Sequence, residues 1–234
     1  MKSFLLIGQS NMAGRGNFGE VEEIKNPKCK MLRNGRWQPM SEPIVFDRSI
    51  FIYYHSGIGL AASFADEYAK YYDEEIGLIP CADGGTRVIE WQPGELLYDN
   101  AIAQAKLAQR TSEIAGILWH QGESDSVHEE DRDNYHDRFM NMINGIKRDL
   151  DLPDDIPVLI GELGDYLDVY KNGACKYYKD INTILRNLSG ELKCGGFVSA
   201  KGLAPKEDNL HFCSSSLREF GKRYFEVYRQ VIEK

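Results

Sequence analysis

One stretch near the start of the chain decides the fold: Leu5-Leu6-Ile7-Gly8-Gln9-Ser10-Asn11-Met12-Ala13-Gly14. An apolar run stops at Gly8, and a serine follows two residues later. This pattern is typical of a buried strand that ends in a tight turn and presents one hydroxyl. A serine attacks a carbonyl only where a base lies within hydrogen-bond reach and donors await the oxyanion. Gly, Ser and Asn are also ordinary turn residues, so the stretch taken alone favours a plain turn.

The length and charge of the chain limit what it does. Its 234 residues fit one α/β domain, and no linker, repeat or low-complexity segment divides residues 1–234. The formal net charge of -8 argues against nucleic acid or an anionic membrane surface as a partner. No apolar stretch approaches the roughly 18 residues of a membrane span. Neutral small-molecule substrates fit this composition.

The cysteines and the N-terminus predict a cytoplasmic protein. The chain has five cysteines, an odd number, and no C-x-x-C spacing, which is typical of reduced thiols. The apolar run at the N-terminus leads directly into the serine motif and has no small-residue cleavage site. We therefore interpret it as a core strand and not as a signal peptide.

Strands alternate with helices along the whole chain. The apolar runs predict strands over 3–7, 76–82, 115–119, 157–161 and 196–199. Helical spacing predicts helices over 60–72, 97–109, 133–150, 177–188 and 214–233, the last with Ser214 as its N-cap. Segment 17–47 has no clear period, so we expect an irregular excursion with a small hairpin around Asn34-Gly35. This alternation predicts a parallel sheet of five strands, covered by helices on both faces.

Four polar motifs follow four of these strands. They are Gly8-Gln9-Ser10-Asn11, Gly84-Gly85-Thr86, His120-Gln121-Gly122-Glu123-Ser124-Asp125 and Asp208-Asn209-Leu210-His211. Ligands of parallel sheets bind beyond the carboxyl ends of the strands. The topology therefore brings four motifs that are scattered in sequence to one edge, which is the main evidence for a site.

Asp208 and His211 are candidates for the groups that activate Ser10. One turn at this spacing brings a carboxylate beside an imidazole, where it bonds Nδ1 and leaves Nε2 facing the nucleophile. His211 would then take the Ser10 proton and return it to the leaving alcohol. Taken alone, the D-x-x-H spacing favours a turn-capping Asp208 and a surface His211.

Oxyanion donors are expected from three residues. Gly85 lacks a Cβ, so its N–H can approach an oxyanion closely, although Gly84-Gly85 also suits a plain turn. Gln121 offers a side-chain NH₂ at the end of the third predicted strand. With the N–H groups of Ser10 and Gly85, it would complete an oxyanion hole.

Four further residues are expected to bind substrate or to support the catalytic groups. Gln9 and Asn11 flank Ser10 in the first motif. Glu123 would orient Gln121 or bind a substrate hydroxyl, and a solvated loop acid is an equal alternative. Trp91 would stack on a sugar ring, and a core position under its loop is equally compatible with the sequence.

No cofactor or metal is expected. His120, Glu123 and His128 do not have the H-E-x-x-H spacing, and no cysteine pair supports a zinc site. The fingerprints of nucleotide-binding loops are missing from the sequence. We interpret His55, His128 and His136 as structural or surface residues.

The four motifs, in this order, resemble those of the SGNH/GDSL hydrolase superfamily. Trp119-His120-Gln121-Gly122-Glu123-Ser124-Asp125 downstream of Gly-Gln-Ser-Asn is similar to its carbohydrate acetylesterase branch, the sialate O-acetylesterase-like and acetylxylan esterase-like enzymes. The resemblance runs from the first strand to the last helix. It implies a flavodoxin-like three-layer α/β/α sandwich and a triad of Ser10, Asp208 and His211. It gives Gly85 the role of the second-block glycine. Gln121 stands where the wider superfamily often has an asparagine donor.

The resulting hypothesis is a metal-independent serine esterase that removes O-acetyl groups from a small acetylated carbohydrate through an acyl-enzyme. The acetylated sugar is a xylo-oligosaccharide or a sialic acid. Segment 17–59 is expected to hold the contacts that determine which of these sugars binds. One alternative is a short-chain lipid esterase or thioesterase on the same fold, which the polar surroundings of Ser10 disfavour. Another is a non-catalytic sugar-binding domain, which the complete triad disfavours.

Overall fold

The computed structural model describes residues 1–47 and 55–233, which form a seven-stranded sheet with helices on both faces. The strands are β1 (Lys2–Gly8), β2 (Cys29–Arg33), β3 (Arg36–Pro39), β4 (Ile76–Pro80), β5 (Glu113–His120), β6 (Val158–Gly161) and β7 (Gly195–Val198). The helices are α1 (Ser10–Ala13), α2 (Leu60–Tyr72), α3 (Leu96–Gln109), α4 (Glu129–Asp149), α5 (Tyr178–Glu191) and α6 (Ser214–Ile232). Across the sheet the strand order is β3-β2-β4-β1-β5-β6-β7.

The five predicted strands are all present, and they form a continuous parallel stretch of the sheet, from β4 through β1, β5 and β6 to β7. On β1, Leu5 and Ile7 pack in the core under α3, α4 and α5. Phe4 and Leu6 face the opposite core, under α2 and α6. Because both faces of a parallel sheet are buried, the strand reads as a continuous apolar run. The three-layer α/β/α class is confirmed.

The expected count of five strands was wrong. The hairpin predicted around Asn34-Gly35 exists, and its two turn residues both have positive φ, as a tight hairpin turn requires. Its first strand, β2, then pairs in parallel with β4, so the hairpin extends the sheet. The sequence signals a hairpin through its turn, but nothing in it signals pairing with a strand that lies more than forty residues away.

The excursion after the serine turn is closed at its base. Gly16 and Ile58 exchange two backbone hydrogen bonds of 3.0 and 2.9 Å, and Gly57 donates to the carbonyl of Gly14 at 3.0 Å. Between these points Arg218 of α6 holds the excursion by donating to Glu42 Oε1 at 2.8 Å. Residues 48–54 of the expected specificity segment lie outside the described residues.

The five predicted helices are all present, but α5 ends at Glu191 and not at 188, and the start of α4 and the N-cap of α6 also differ from the prediction. Helix α4 begins at Glu129, four residues earlier than expected, because three acidic residues in its first turn favour a helix N-terminus. Ser214 is the first residue of α6 and not its N-cap, which is Cys213. The Ser214 hydroxyl instead donates to Glu20 Oε2 at 2.6 Å. Within the described ranges, no helix is both long and apolar enough to cross a bilayer.

The serine turn depends on a close approach between β1 and β5. Gly8 has a φ of +129°, and a Cβ at this position would lie 2.2 Å from the carbonyl oxygen of His120. The next residue, Gln9, donates its N–H to the same oxygen at 2.9 Å. Only glycine therefore lets the first motif and the third motif meet at this distance.

Replacing this glycine should destabilise the protein. We expect Gly8→Ala to lower the free energy of unfolding by about 3 kcal/mol or more, because it adds both overpacking and backbone strain. Urea unfolding at constant pH measures this. Gly190→Ala is the matched control, since Gly190 lies inside α5 and no atom lies within 4 Å of the added Cβ. It should raise stability by about 0.5–1 kcal/mol. Equal effects of the two substitutions would contradict the role of Gly8.

Candidate active site

Ser10 lies at the carboxyl end of β1, as the first residue of the short helix α1. It borders a cavity of about 380 Å³ that also contains Gly85, Glu123 and His211. These residues come from all four predicted motifs. The topology therefore brings the motifs to one edge of the sheet, as expected.

Ser10, His211 and Asp208 form a hydrogen-bonded relay. His211 Nε2 lies 2.9 Å from Ser10 Oγ, and His211 Nδ1 lies 2.7 Å from Asp208 Oδ2. The other oxygen of Asp208 accepts the backbone N–H groups of Leu210 and His211, both at 2.9 Å. The carboxylate thus fixes both the loop and the imidazole ring, which is the geometry of a serine nucleophile with its base.

The charge of Asp208 supports this arrangement. Partial burial by itself raises the pKa of the carboxyl group, but the hydrogen bonds from the His211 ring and from two backbone N–H groups outweigh it. The pKa of Asp208 therefore lies well below its usual range, and the group is ionised at neutral pH. An ionised Asp208 favours the tautomer in which His211 Nδ1 carries the proton and Nε2 accepts from Ser10.

Ser10 and Gly85 both border the cavity and each carries a backbone N–H group. The N–H groups of Ser10 and Gly85 have no acceptor among residues 1–47 and 55–233. Gly85 has a φ of +73°, so the turn that presents its N–H favours glycine even though a Cβ would meet no atom there. Both groups are therefore available to an oxyanion formed at Ser10.

Gln121 does not supply the expected third donor. It is 0% exposed and does not border the cavity. Its Nε2 donates to the Thr86 carbonyl at 2.9 Å and to Gln9 Oε1 at 3.1 Å, and it also contacts Asp125. Tyr135 donates to its Oε1 at 2.9 Å. This expectation was wrong because the end of a strand does not reveal that neighbouring groups bond both ends of a buried amide.

Gln9, and not Gln121, is the glutamine that borders the cavity. Its Oε1 accepts from Gln121 Nε2 at 3.1 Å and from the backbone N–H of Ser124 at 3.3 Å. A backbone N–H only donates, so this contact decides which end of the Gln9 amide is the oxygen. The side chain borders the cavity, and its Nε2 has no partner in the part of the chain that the structure describes. Gln9 therefore offers a free donor beside Ser10.

Asn11 and Glu123 are a hydrogen-bonded pair of buried polar residues next to the relay. Asn11 Nδ2 donates to Glu123 Oε1 at 2.6 Å, and the same oxygen lies 3.3 Å from His120 Nε2. Burial raises the pKa of Glu123, but the contacts with His120 and Asn11 outweigh it, and the pKa lies below its usual value. Glu123 is therefore a buried carboxylate and not a solvated loop acid.

Trp91 belongs to the core and does not contact the cavity. It is fully buried, its Nε1 donates to Thr86 Oγ1 at 3.1 Å, and its ring packs edge-on against Trp119. Of the two interpretations of its sequence position, the structure favours the core residue. Stacking of a sugar on Trp91 is incompatible with this burial.

Sequence reasoning missed a buried ion pair beside the site. Arg15 borders the cavity, and its guanidinium bonds both oxygens of Asp47, with Nη1 at 3.2 Å from Oδ1. Asp47 Oδ2 also accepts the N–H of Gly84 at 2.8 Å, so the pair fixes the turn that presents Gly85. Nothing marks these residues in the sequence, because they lie more than thirty residues apart and Asp47 ends a segment without a period.

The rest of the wall comes from residues that no motif indicated. Val127, Tyr170, Cys175 and Leu210 add apolar surface to a wall that also includes the polar residues Gln9 and Ser124. Beyond His211 a second cavity of about 350 Å³ is bordered by Asn17, Phe18, His55, Lys206 and Asp208. Among the described residues, no group of three or more His, Cys, Asp or Glu side chains is arranged to hold a metal ion.

Asp125 ends the third motif as a buried carboxyl group. It accepts the N–H of Val88 at 3.1 Å and contacts Gln121 Nε2. Burial raises the pKa of Asp125 to about 7, although the hydrogen bonds from Gln121 and Val88 act in the opposite direction. It supports the amide network behind the site and does not border the cavity.

Known proteins share this fold and sequence over nearly the whole chain. The family model described as "Carbohydrate esterase, sialic acid-specific acetylesterase" matches residues 1–230. A probable carbohydrate esterase of Arabidopsis thaliana is 30% identical over 246 residues, which cover 96% of this chain and 89% of that protein. The X-ray structure of an Arabidopsis thaliana protein gives a TM-score of 0.81 at 26% identity and covers 98% of both chains. The crystal structure of NanS gives a TM-score of 0.77 at 17% identity, covering 99% of this chain and 97% of that one, and supports the fold alone.

The buried carboxyl group of Asp125 should make stability depend on pH. The folded state holds its proton up to about pH 7, whereas the unfolded chain releases it near the ordinary value of 3.8. The folded state binds more protons in this window, so the free energy of unfolding falls as the pH rises, by at most about 1.4 kcal/mol per pH unit. Above about pH 7 this loss is complete.

The measurement is the free energy of unfolding of the wild type minus that of Asp125→Asn, from urea titrations between pH 4 and 8. Subtraction cancels the contributions of the other titrating groups. As the pH rises to about 7, this difference should fall, because only the wild type loses the stabilising proton. Above about pH 7 it should stay constant. A difference that does not change with pH would refute the raised pKa.

Proposed function

Because this chain belongs to the sialic acid-specific acetylesterase family of carbohydrate esterases, we propose that it is a serine esterase that removes O-acetyl groups from carbohydrates. The observation that carries the proposal is the relay of Ser10, His211 and Asp208 at the wall of a cavity large enough for a sugar. The cavity is lined by both apolar and polar residues, which suit the ring face and the hydroxyl groups of a saccharide, respectively.

The first half-reaction forms an acetyl-enzyme. Ser10 Oγ attacks the acetyl carbonyl carbon while His211 Nε2 takes the hydroxyl proton. The carbonyl π electrons move to oxygen and form a tetrahedral oxyanion. When this intermediate collapses, the bond to the sugar oxygen breaks, and His211 gives its proton to that oxygen. Asp208 stabilises the imidazolium through the hydrogen bond of 2.7 Å to Nδ1.

The second half-reaction releases acetate. A water molecule attacks the acetyl carbon of the ester on Ser10, and His211 accepts the proton of this water. Collapse of the second tetrahedral intermediate breaks the bond to Ser10 Oγ, which takes back the proton from His211. Acetic acid leaves as acetate, and the relay returns to its starting state.

The oxyanion in both steps requires donors that are already in position. We assign this role to the N–H groups of Ser10 and Gly85 and to Gln9 Nε2, all of which border the cavity and lack another acceptor among the described residues. Gln121 then acts indirectly, because its Nε2 donates to Gln9 Oε1 and so orients the Gln9 amide. Preorganised donors of this kind lower the barrier because they need no rearrangement as the charge develops.

The triad is tested by acetate release from a panel of acetylated xylo-oligosaccharides and acetylated sialic acid, with a chelator present. The wild type should release acetate. Ser10→Ala should lower kcat at least about 10⁴-fold, and Asp208→Asn by about 10³–10⁴-fold, because the carboxylate sets the tautomer of His211. The octanoyl esters of the same sugars should react far more slowly than the acetyl esters.

Ser112→Ala is the matched control for this experiment. Ser112 lies just before β5, at the opposite edge of the sheet, and its hydroxyl bonds the Ala108 carbonyl. Its kcat should equal that of the wild type. Near-normal turnover by Ser10→Ala would refute the nucleophile, and loss of wild-type activity in chelator would refute the metal-independent mechanism.

The assignment of Gln9 is tested by Gln9→Glu. Glutamate keeps an oxygen for Gln121 and Ser124 but replaces the free NH₂ with an anionic oxygen. We expect kcat to fall at least about 100-fold with KM changed less than about threefold, since the lost interaction forms only in the transition state. Gln230→Glu adds the same charge on the exposed side of α6 and should leave both constants unchanged. A raised KM with an unchanged kcat would mean that Gln9 binds the sugar instead.

A further inference from the structure

We propose that Asn11 is the positioning residue that holds the loop of His211 against the turn of Ser10, and that Glu123 anchors Asn11 in this role. The inference deepens the proposed function and rests on it, because Asn11 acts only through the catalytic histidine. Asn11 is the residue after Ser10, and it is 1% exposed. Unlike Gln9, Ser10 and Glu123, it is not among the residues that border the cavity.

Asn11 bonds the backbone on both sides of His211. Its Oδ1 accepts the N–H of Phe212 at 3.1 Å, and its Nδ2 donates to the carbonyl of Leu210 at 3.3 Å. The two peptide groups that border the catalytic histidine are thus tied to one side chain. That side chain belongs to the residue next to Ser10, so it links the loop of His211 directly to the turn whose hydroxyl donates to His211 Nε2.

The other bonds of the loop do not replace this link. Asp208 accepts the N–H groups of Leu210 and His211, and Lys206 donates its N–H to the His211 carbonyl at 2.7 Å. These contacts fold the loop onto itself. Lys206 Nζ does reach the carbonyl of Arg15 at 2.6 Å, but it is five residues away from the histidine. Asn11 therefore sets where the preformed loop sits relative to Ser10.

Phe212 and Glu123 together fix the orientation of the Asn11 amide. The Phe212 N–H only donates, so the atom it meets must be Oδ1. The second hydrogen of Nδ2 then points to Glu123 Oε1, at 2.6 Å. Because Glu123 is itself 2% exposed and contacts His120 at the end of β5, the anchor is part of the rigid sheet edge. The chain of contacts runs from β5 through Glu123 and Asn11 to the loop of His211.

For catalysis, the position of this loop determines the distance between His211 Nε2 and Ser10 Oγ. Proton transfer requires His211 Nε2 to stay within hydrogen-bond reach of Ser10 Oγ, and a displacement of about 1 Å costs on the order of 100-fold in rate. If Asn11 sets this distance, its loss should slow every reaction of Ser10 that uses His211 as a base. It should leave the affinity for the sugar unchanged.

The test measures two reactions of the folded protein. For Asn11→Ala we expect kcat for acetate release to fall about 10–100-fold with KM within about twofold. The second-order rate of Ser10 phosphonylation by a small alkyl fluorophosphonate should fall by a similar factor, because it needs His211 but no sugar. The melting temperature is recorded for each variant, and rates are compared below the transition.

Asn182→Ala is the matched control. Asn182 Oδ1 accepts the N–H of Leu163 at 2.8 Å and its Nδ2 donates to the carbonyl of Leu163 at 3.0 Å, so its amide braces a loop in the same way. This loop follows β6 and carries no residue of the relay. The control should lose stability as Asn11→Ala does, with both rates within about twofold of the wild type.

A charge exchange keeps the proposal testable if Asn11→Ala fails to fold. Asn11→Asp places two carboxylates in contact and should lower both rates more than about 100-fold. Adding Glu123→Gln restores a donor and an acceptor between the two side chains, and should recover at least about tenfold. Absence of recovery, or rates of folded Asn11→Ala within twofold of the wild type, would overturn the proposal.

The two reactions also separate this proposal from the proposed function. A wild type that releases acetate from no sugar but is phosphonylated at Ser10 would overturn the function, and the phosphonate rates would still decide the role of Asn11. A wild type that undergoes neither reaction would contradict both.

Discussion

The site depends on a hydrogen bond between the ends of the two central strands, from the N–H of Gln9 to the carbonyl of His120. It forms because Gly8 lets the backbone of β1 come against that carbonyl, where any Cβ would collide with it. The serine turn and the third motif are thereby locked to one sheet edge. Gln9 then reaches Gln121 and Ser124, and Asn11 reaches Glu123, across this junction.

This junction carries an unusual density of buried polar groups. Gln9, Asn11, His120, Gln121, Glu123 and Asp125 are all at most 2% exposed. Each would cost stability if its polar atoms had no partner, so most of their hydrogen-bonding capacity is used within the cluster. His120 Nδ1 and Glu123 Oε2 are exceptions among the described residues, since neither has a hydrogen-bond partner. A site that must hold several groups within fractions of an ångström accepts this cost because satisfied polar networks rigidify their surroundings.

The sequence predicted what depends on local pattern and on topology. Apolar runs and helical spacing located five of the six parallel strands, and the rule that parallel strands end at one edge brought Ser10, Gly85 and His211 together. It could not predict the roles of Gln9 and Gln121, because which of two amides faces the cavity depends on hydrogen bonds between residues more than a hundred positions apart. The core position of Trp91 and the pairing of β2 with β4 could not be predicted for the same reason. Both depend on contacts between residues distant in sequence, which produce no periodic pattern in the sequence.

The closed base of the excursion fixes the two points at which the chain leaves and rejoins the sheet edge. Gly16 and Ile58 pair beside the serine turn, so the chain between them leaves and rejoins the sheet edge at fixed points. Insertions or deletions in that intervening chain change the rim of the second cavity, which Asn17, Phe18 and His55 border, while Gly16 and Ile58 keep the serine turn in place. The length of this one segment can therefore vary without displacing Ser10 from the end of β1.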